Sequence, residues 1–187
     1  MIIGLTGTLG AGKDAAAKFF MKNGFSYHSC SDIIRNECKK RKIPRDRDNL
    51  IKMGNGLREK YGPEILAKMI IERKIAGNEK DILVVSIRNP SEVEELRKQK
   101  DFVMIAIDAP IELRYKRITA RQEPRDHVSF DKFKQQEENE MAGDENMQQL
   151  NKVMEMADHK IINDGTLEQL QYKLEDLLDY LRENNNA

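Results

Sequence analysis

Gly7-Thr8-Leu9-Gly10-Ala11-Gly12-Lys13-Asp14 follows the apolar run Met1-Ile2-Ile3-Gly4-Leu5-Thr6 and leads into a helical pattern at Ala15. A glycine-rich loop ending in lysine, placed between a strand and a helix, is a P-loop. Its glycines permit positive φ angles and close backbone approach, so that the consecutive N–H groups from Gly7 to Ala15 can surround phosphate oxygens. Lys13 adds a point charge toward the β- and γ-phosphates, and the helix N-terminus adds the positive end of its dipole. Gly7, Thr8, Leu9, Gly10, Ala11, Gly12, Lys13, Asp14 and Ala15 are therefore the expected nucleotide-holding residues.

One position departs from the usual motif. Asp14 stands where Ser or Thr normally offers a hydroxyl to Mg²⁺, and Ala15 supplies none either. A carboxylate is a harder oxygen ligand that binds the ion directly or through one of its waters. Near phosphates its charge is repulsive without a metal, so nucleotide binding is expected to depend on divalent cation more than in a Ser/Thr loop.

Short apolar runs alternate with longer helical patterns along the chain. Candidate strands are Ile2 to Thr6, Phe25 to Ser29, Ile82 to Ser86, Phe102 to Asp108 and Lys160 to Asn163, joined by helical crossovers as in a parallel α/β sheet. Ile82-Leu83-Val84-Val85 and Val103-Met104-Ile105-Ala106-Ile107 lack polar alternation, as strands covered on both faces do. Candidate helices span Ala15–Asn23, Ser31–Arg41, Asp48–Tyr61, Pro63–Ala76, Pro90–Lys98, Ile111–Arg121, Phe130–Met141, Asn146–Ala157 and Thr166–Glu183. In such sheets ligands sit beyond the carboxyl ends of the strands. That rule gathers the P-loop, Ser29 to Asp32, Ser86 to Asn89 and Asp108 to Pro110 onto one rim.

At 187 residues the chain is expected to form one domain over residues 1–182, with residues 183–187 as a tail. Lys plus Arg number 32 and Asp plus Glu number 32, so no global field recruits nucleic acid or an anionic membrane. Cys30 and Cys38 show no metal-ligand spacing and fit reduced thiols in a cytoplasmic protein. Gly4 and Gly7 break the apolar start, so neither a signal peptide nor a membrane span is expected. His28, His127 and His159 read as scattered solvent-accessible residues. Met53, Met69, Met141, Met147, Met154 and Met156 read as core fillers. Lys39-Lys40-Arg41-Lys42 and Gln135-Gln136-Glu137-Glu138 read as solvated helix ends.

Gly4-Leu5-Thr6-Gly7 with its P-loop, and Ser31-Asp32-Ile33-Ile34-Arg35 after the second strand, resemble dephospho-coenzyme A kinase. Ser86-Ile87-Arg88-Asn89-Pro90-Ser91-Glu92-Val93, Arg114-Tyr115-Lys116-Arg117-Ile118 and Ala157-Asp158-His159-Lys160-Ile161-Ile162-Asn163-Asp164-Gly165-Thr166 resemble a largely archaeal adenylate-kinase-related group. Both belong to the P-loop nucleoside monophosphate kinase superfamily, and the similarity runs from Met1 to about Leu178. The resemblance implies a three-layer α/β P-loop kinase fold. Its five-stranded parallel sheet would have the order 2-3-1-4-5, with helices on both faces and a small helical lid at about residues 112–142.

Phosphoryl transfer needs cations and one positioned carboxylate. Asp32 matches the position of an acidic residue in dephospho-coenzyme A kinases, where it would accept a hydroxyl proton or orient an acceptor; Ser31 or Asp32 capping a helix at Ile33 explains the same letters. Arg35, one helical turn on, is expected to grip an acceptor phosphate, against the plainer reading of a surface arginine. Arg88, following four apolar residues, is expected to face the crevice, and the resemblance supports an acceptor-binding role; the rival is an ion pair that only stabilises the loop. Ser86 stands where a Walker B carboxylate is usual, so Asp14 and Ser86 are the expected metal-directed pair. Arg114, Arg117 and Arg121, at spacings of three and four, are read as one face of a lid helix, with Arg117 and Arg121 preferred for donor and transition-state charge. Gln122 to His127 reads as a lid turn. Asn163 and Gly165 would border the adenine as in resembling kinases, although a plain β-to-α turn gives the same residues. Arg45, Arg47 and Arg58 are weaker candidates for the acceptor cavity.

The leading expectation is an enzyme, a kinase moving the γ-phosphate of ATP with Mg²⁺ to a nucleoside monophosphate, a deoxynucleoside monophosphate or dephospho-coenzyme A. Its partners would be a nucleotide donor and a small nucleotide-like acceptor, in a monomer or homodimer. The alternative is a nucleotide-binding ATPase or switch module acting through a protein partner.

Overall fold

In the computed structural model, residues 1–121, 128–141 and 147–185 are described. Strands β1 (Ile2–Gly7), β2 (Ser26–Ser29), β3 (Ile82–Val85), β4 (Phe102–Asp108) and β5 (His159–Ile162) pair in parallel in the order β2-β3-β1-β4-β5. The helices are α1 (Lys13–Lys22), α2 (Cys30–Lys40), α3 (Arg47–Tyr61), α4 (Ile65–Gly77), α5 (Pro90–Arg97), α6 (Ile111–Thr119), α7 (Phe130–Met141), α8 (Leu150–Glu155) and α9 (Leu167–Asn185). The sheet order expected from the resemblance is the one observed.

Both faces of the central strands are apolar because each face meets its own helical layer. Ile2, Ile82, Val84 and Met104 pack with residues of α2, α3, α4, α5 and α8. Their neighbours Ile3, Leu5, Leu83, Val85, Ile105 and Ile107 pack on the opposite side with Ala16 and Phe20 of α1 and Leu170, Leu174 and Leu178 of α9. Alternate residues along one strand thus bury into different layers, so a polar residue on either face would be stranded in a core.

Register brings the carboxyl ends together. Leu5 pairs with Val85 and Ile105, Ser29 pairs with Val85, and Asp108 pairs with Ile162. At the opposite end, the Met1 ammonium binds Asp81 at 2.7 Å and Asp101 at 2.9 Å.

Several boundaries differ from the sequence reading. The second helix begins at Cys30, and its N-cap is Ser29, whose hydroxyl accepts from Asp32 N at 3.3 Å. Neither Ser31 nor Asp32 is that cap. Cys30 accordingly opens a helix and is buried, and burial, reinforced by Glu92, pushes its thiol well above the ordinary value. The third strand stops at Val85, because Ser86 turns to φ 62°. The helix expected over 146–157 is the single short α8, α6 ends at Thr119, and α9 continues past Glu183 to Asn185.

His28 is not solvent-accessible as expected: its side chain is 11% exposed and lies 2.5 Å from Glu79. Met53 is in the core and Met69 and Met156 pack against it, whereas Met147 is exposed. Among the described residues no helix is long and apolar enough to cross a membrane.

Candidate functional site

The rim is organised around the loop between β1 and α1. Gly10 and Gly12 have φ of 82° and 105°, a region L side chains rarely adopt. Space enforces the same choice. A Cβ on Gly10 would lie 2.7 Å from the Arg114 carbonyl oxygen, and one on Gly12 would run into the Asn163 amide. Lys13 Nζ donates to the Thr8 carbonyl at 2.6 Å, laying the ammonium across the loop's own backbone.

Asp14, in the first turn of α1, has a side chain 80% exposed, and Arg121 Nη1 lies 3.7 Å from its Oδ2. The two residues assigned separately from sequence, to metal and to lid, therefore meet at the loop. Arg117 reaches the other side of the nucleotide rim, donating from Nη1 to the Asn163 carbonyl at 2.9 Å and from Nη2 to the Gly165 carbonyl at 3.2 Å. Asn163 is buried and ties the turn to the P-loop through Nδ2 to the Ala11 carbonyl at 2.8 Å. The sequence-derived set Arg117, Arg121, Asn163 and Gly165 is thus contiguous with the loop.

Arg114 does not share that face. It is buried, and its guanidinium forks onto Glu137 of α7. The grouping of Arg114 with Arg117 and Arg121 is corrected accordingly, as is the reading of Glu137 as a solvated residue. The stretch Gln122 to His127 lies outside the described residues.

On the β2–β3 side, Asp32 and Arg35 bind each other at 2.7 Å with side chains 48% and 42% exposed. Ion pairs this exposed contribute little to stability, so the geometry is as compatible with a plain surface pair on α2 as with an acceptor-directed one. Arg88 Nη1 donates to Gln148 Oε1 at 3.0 Å, and its backbone carbonyl accepts from Gln149 N at 2.8 Å. Its side chain is therefore held toward the segment before α8.

The carboxylate in this neighbourhood is Glu92, which is wholly buried. It binds Arg58 Nη2 at 2.8 Å and accepts the backbone N–H groups of Arg88 and Asn89 at 2.9 and 3.2 Å. Arg58, 3% exposed, is consumed in that pair and is not the cavity residue it was read as.

Sequence reasoning placed Asp108 on the rim without giving it a role and passed over Tyr27. Asp108, at the end of β4, takes the Thr8 hydroxyl on Oδ1 at 2.6 Å. At Tyr27 burial pushes the phenol above the ordinary value, the Ser29 side chain opposes this, and the Asp32 and Asp14 carboxylates add to it. Its hydroxyl therefore feels Asp14 and Asp32 together, and alternation along β2 alone would not reveal it.

A glycine-rich loop with its lysine, seated at the centre of a 2-3-1-4-5 parallel sheet and flanked by arginines of α6, defines the P-loop kinase fold. The chain belongs to the UPF0200 family, and residues 3–140 match the AAA domain family. The UPF0200 protein of Pyrococcus horikoshii is 32% identical over 190 residues, covering 98% of this chain and 99% of that protein. Among solved structures, shikimate kinase from Bacteroides thetaiotaomicron superimposes with TM-score 0.60 at 14% identity, over 96% of this chain and 98% of its own. Dephospho-CoA kinase from Campylobacter jejuni gives TM-score 0.52 at 17% identity, over 96% of each chain.

Proposed function

We propose that this protein is an ATP-dependent phosphotransferase that moves the γ-phosphate, with Mg²⁺, to a nucleotide-like small molecule: a nucleoside or deoxynucleoside monophosphate, or dephospho-coenzyme A. The observation that carries the reading is a pair of contacts at the end of α6, Arg117 on the 163–165 turn and Arg121, two residues past the helix, beside Asp14. A loop serving only as a strand-to-helix turn needs no such cations, whereas a bound triphosphate and the diphosphate it releases on γ-transfer do.

In this reading the loop amides and Lys13 hold the β- and γ-phosphates, and Arg121 meets the charge that develops on them. Arg117, Asn163 and Gly165 border the base. Asp32, its direction fixed by Arg35, accepts the acceptor hydroxyl's proton when the acceptor is an alcohol and orients it when it is a phosphate. Arg35 and Arg88 grip the acceptor's anionic groups.

Among the described residues no group of three or more His, Cys, Asp or Glu side chains stands together to cage a metal. The exposed Asp14 carboxylate suits an ion carried mainly by phosphates, with Ser86 as a hydroxyl or water partner. Bound there, Mg²⁺ would neutralise β- and γ-oxygens. Asp14→Ser is accordingly expected to lower turnover about tenfold and to shift half-saturation to higher Mg²⁺. Mg²⁺ titrations of product formation check this, and wild-type turnover with an unmoved Mg²⁺ curve would remove Asp14 from the metal site.

The defining experiment incubates the protein with Mg-ATP and a panel of nucleoside monophosphates, deoxynucleoside monophosphates and dephospho-coenzyme A, with products followed by mass spectrometry. An acceptor-specific product names the substrate class. The second reading, a nucleotide-dependent switch acting through a protein partner, is favoured by Ser86 in place of an acid after β3. It predicts tight ATP binding without any phosphorylated acceptor.

A further inference from the structure

Arg114 is 4% exposed although it carries a full charge, and each of its contacts leads to the nucleotide rim or the lid. Nε donates to the Ala109 carbonyl at 2.7 Å, and Nη1 donates to the Leu9 carbonyl at 3.3 Å. Both terminal nitrogens bind Glu137 of α7, with Nη2 to Oε1 at 2.8 Å. Nε also lies 3.7 Å from Asp108 Oδ1, the oxygen that accepts the Thr8 hydroxyl at 2.6 Å and Ala109 N at 2.8 Å. The P-loop residues Thr8 and Leu9 are thereby connected to a lid helix through a single guanidinium.

A trans peptide points its C=O and N–H to opposite sides. Anchoring the Leu9 carbonyl on Arg114 therefore aims the Gly10 N–H away from Arg114, to the side a phosphate takes. The same α6 turn docks α7: the Tyr115 ring packs on Phe130 and Phe133 at centroid distances of 5.1 and 5.7 Å, and its hydroxyl donates to the Val128 carbonyl at 2.9 Å. Hydrophobic contact alone would seat α7. The Glu137–Arg114 fork, in which Arg114 is buried and Glu137 partly so, is additional, and its direction is toward the loop.

We propose that Glu137 is a positioning residue for the P-loop: by fixing the Arg114 fork it sets the Leu9 peptide and the Asp108–Thr8 contact, so that docking of α7 and binding of a nucleoside triphosphate are linked. The inference rests on the nucleotide-binding part of the proposed function and not on the identity of the acceptor. Linkage works in both directions, so nucleotide must tighten α7 as much as α7 tightens nucleotide.

Wild-type protein, Glu137→Gln, Thr8→Val and the double variant are titrated with a fluorescent ATP analogue and Mg²⁺, and α7 amide hydrogen exchange is followed with and without nucleotide. Glu137→Gln is expected to bind about tenfold more weakly. The double variant should be about as weak as the weaker single one, because both changes act through Asp108 and Arg114. Nucleotide should protect α7 amides in the wild type and not in Glu137→Gln. Unchanged or tighter binding by Glu137→Gln, or losses that multiply in the double variant, overturns the proposal while leaving the nucleotide reading intact. A wild-type protein that binds no nucleotide overturns both. If circular dichroism shows Glu137→Gln unfolded, Glu137→Asp replaces it, with a smaller loss expected and the same outcomes deciding.

Discussion

Lys13→Ala should leave the fold standing and reduce phosphoryl transfer by about a thousandfold or more. The ammonium lies across the loop, donating to the Thr8 carbonyl at 2.6 Å, and a triphosphate's γ-oxygens offer it a charged acceptor in place of a neutral one. That exchange strengthens as charge moves onto the leaving oxygen, so the loss falls on turnover as well as on binding. For folding, the change removes the hydrogen bond to the Thr8 carbonyl, roughly 1 kcal/mol, a melting shift of a few degrees. Lys13→Arg should not rescue transfer, because a planar fork cannot replace a compact ammonium inside a closed loop. Product formation by mass spectrometry beside a thermal melt separates the two effects. A folded Lys13→Ala protein that kept a tenth of wild-type transfer would show that the loop does not serve the chemistry assigned to it.

How much of this was legible in the sequence follows from how local each determinant is. The β1–loop–α1 unit was readable because its glycines, lysine and flanking apolar run are consecutive, and the two-sided cores were readable from the unbroken apolar runs in β3 and β4. The strand order was not contained in any run; it came from family resemblance. Arg114 marks where periodicity gave out. A spacing of three and four residues put it on one helix with Arg117 and Arg121, yet α6 ends at Thr119 before Arg121, and which side of the helix faces the P-loop and α7 depends on packing that spacing does not carry. Glu137 looked like part of a solvated run because its partner lies 23 residues upstream. The Ser29 cap shows a smaller error of the same kind. The residues Ser31 and Asp32 also have capping chemistry, and only the backbone course decides which hydroxyl or carboxylate meets the first free N–H.

Glu92→Ala is expected to cost about 3–5 kcal/mol of stability, because it leaves a buried guanidinium without its counter-ion. The carboxylate has four donors: Arg58 Nε and Nη2 at 3.2 and 2.8 Å on Oε1, and the backbone N–H groups of Arg88 and Asn89 at 2.9 and 3.2 Å on Oε2. Alanine leaves all four unsatisfied, in a place where Glu92 is 0% and Arg58 3% exposed, so water cannot substitute without opening the packing of α3 on α5. For a chain of this size the melting temperature should fall by about 10 °C or more. Arg58→Met/Glu92→Leu should recover part of the loss, since it removes both charges together, though the two backbone N–H groups stay unpaired. The same carboxylate completes the capping box that starts α5 and fixes the backbone from which Arg88 projects. In the residual folded Glu92→Ala protein the acceptor KM should therefore rise more than the ATP KM, since the P-loop rests on other contacts. A melting temperature within about 3 °C of wild type would mean that solvent or another group satisfies Arg58. Equal rises in both KM values would mean that Arg88 is not held for the acceptor by this pair.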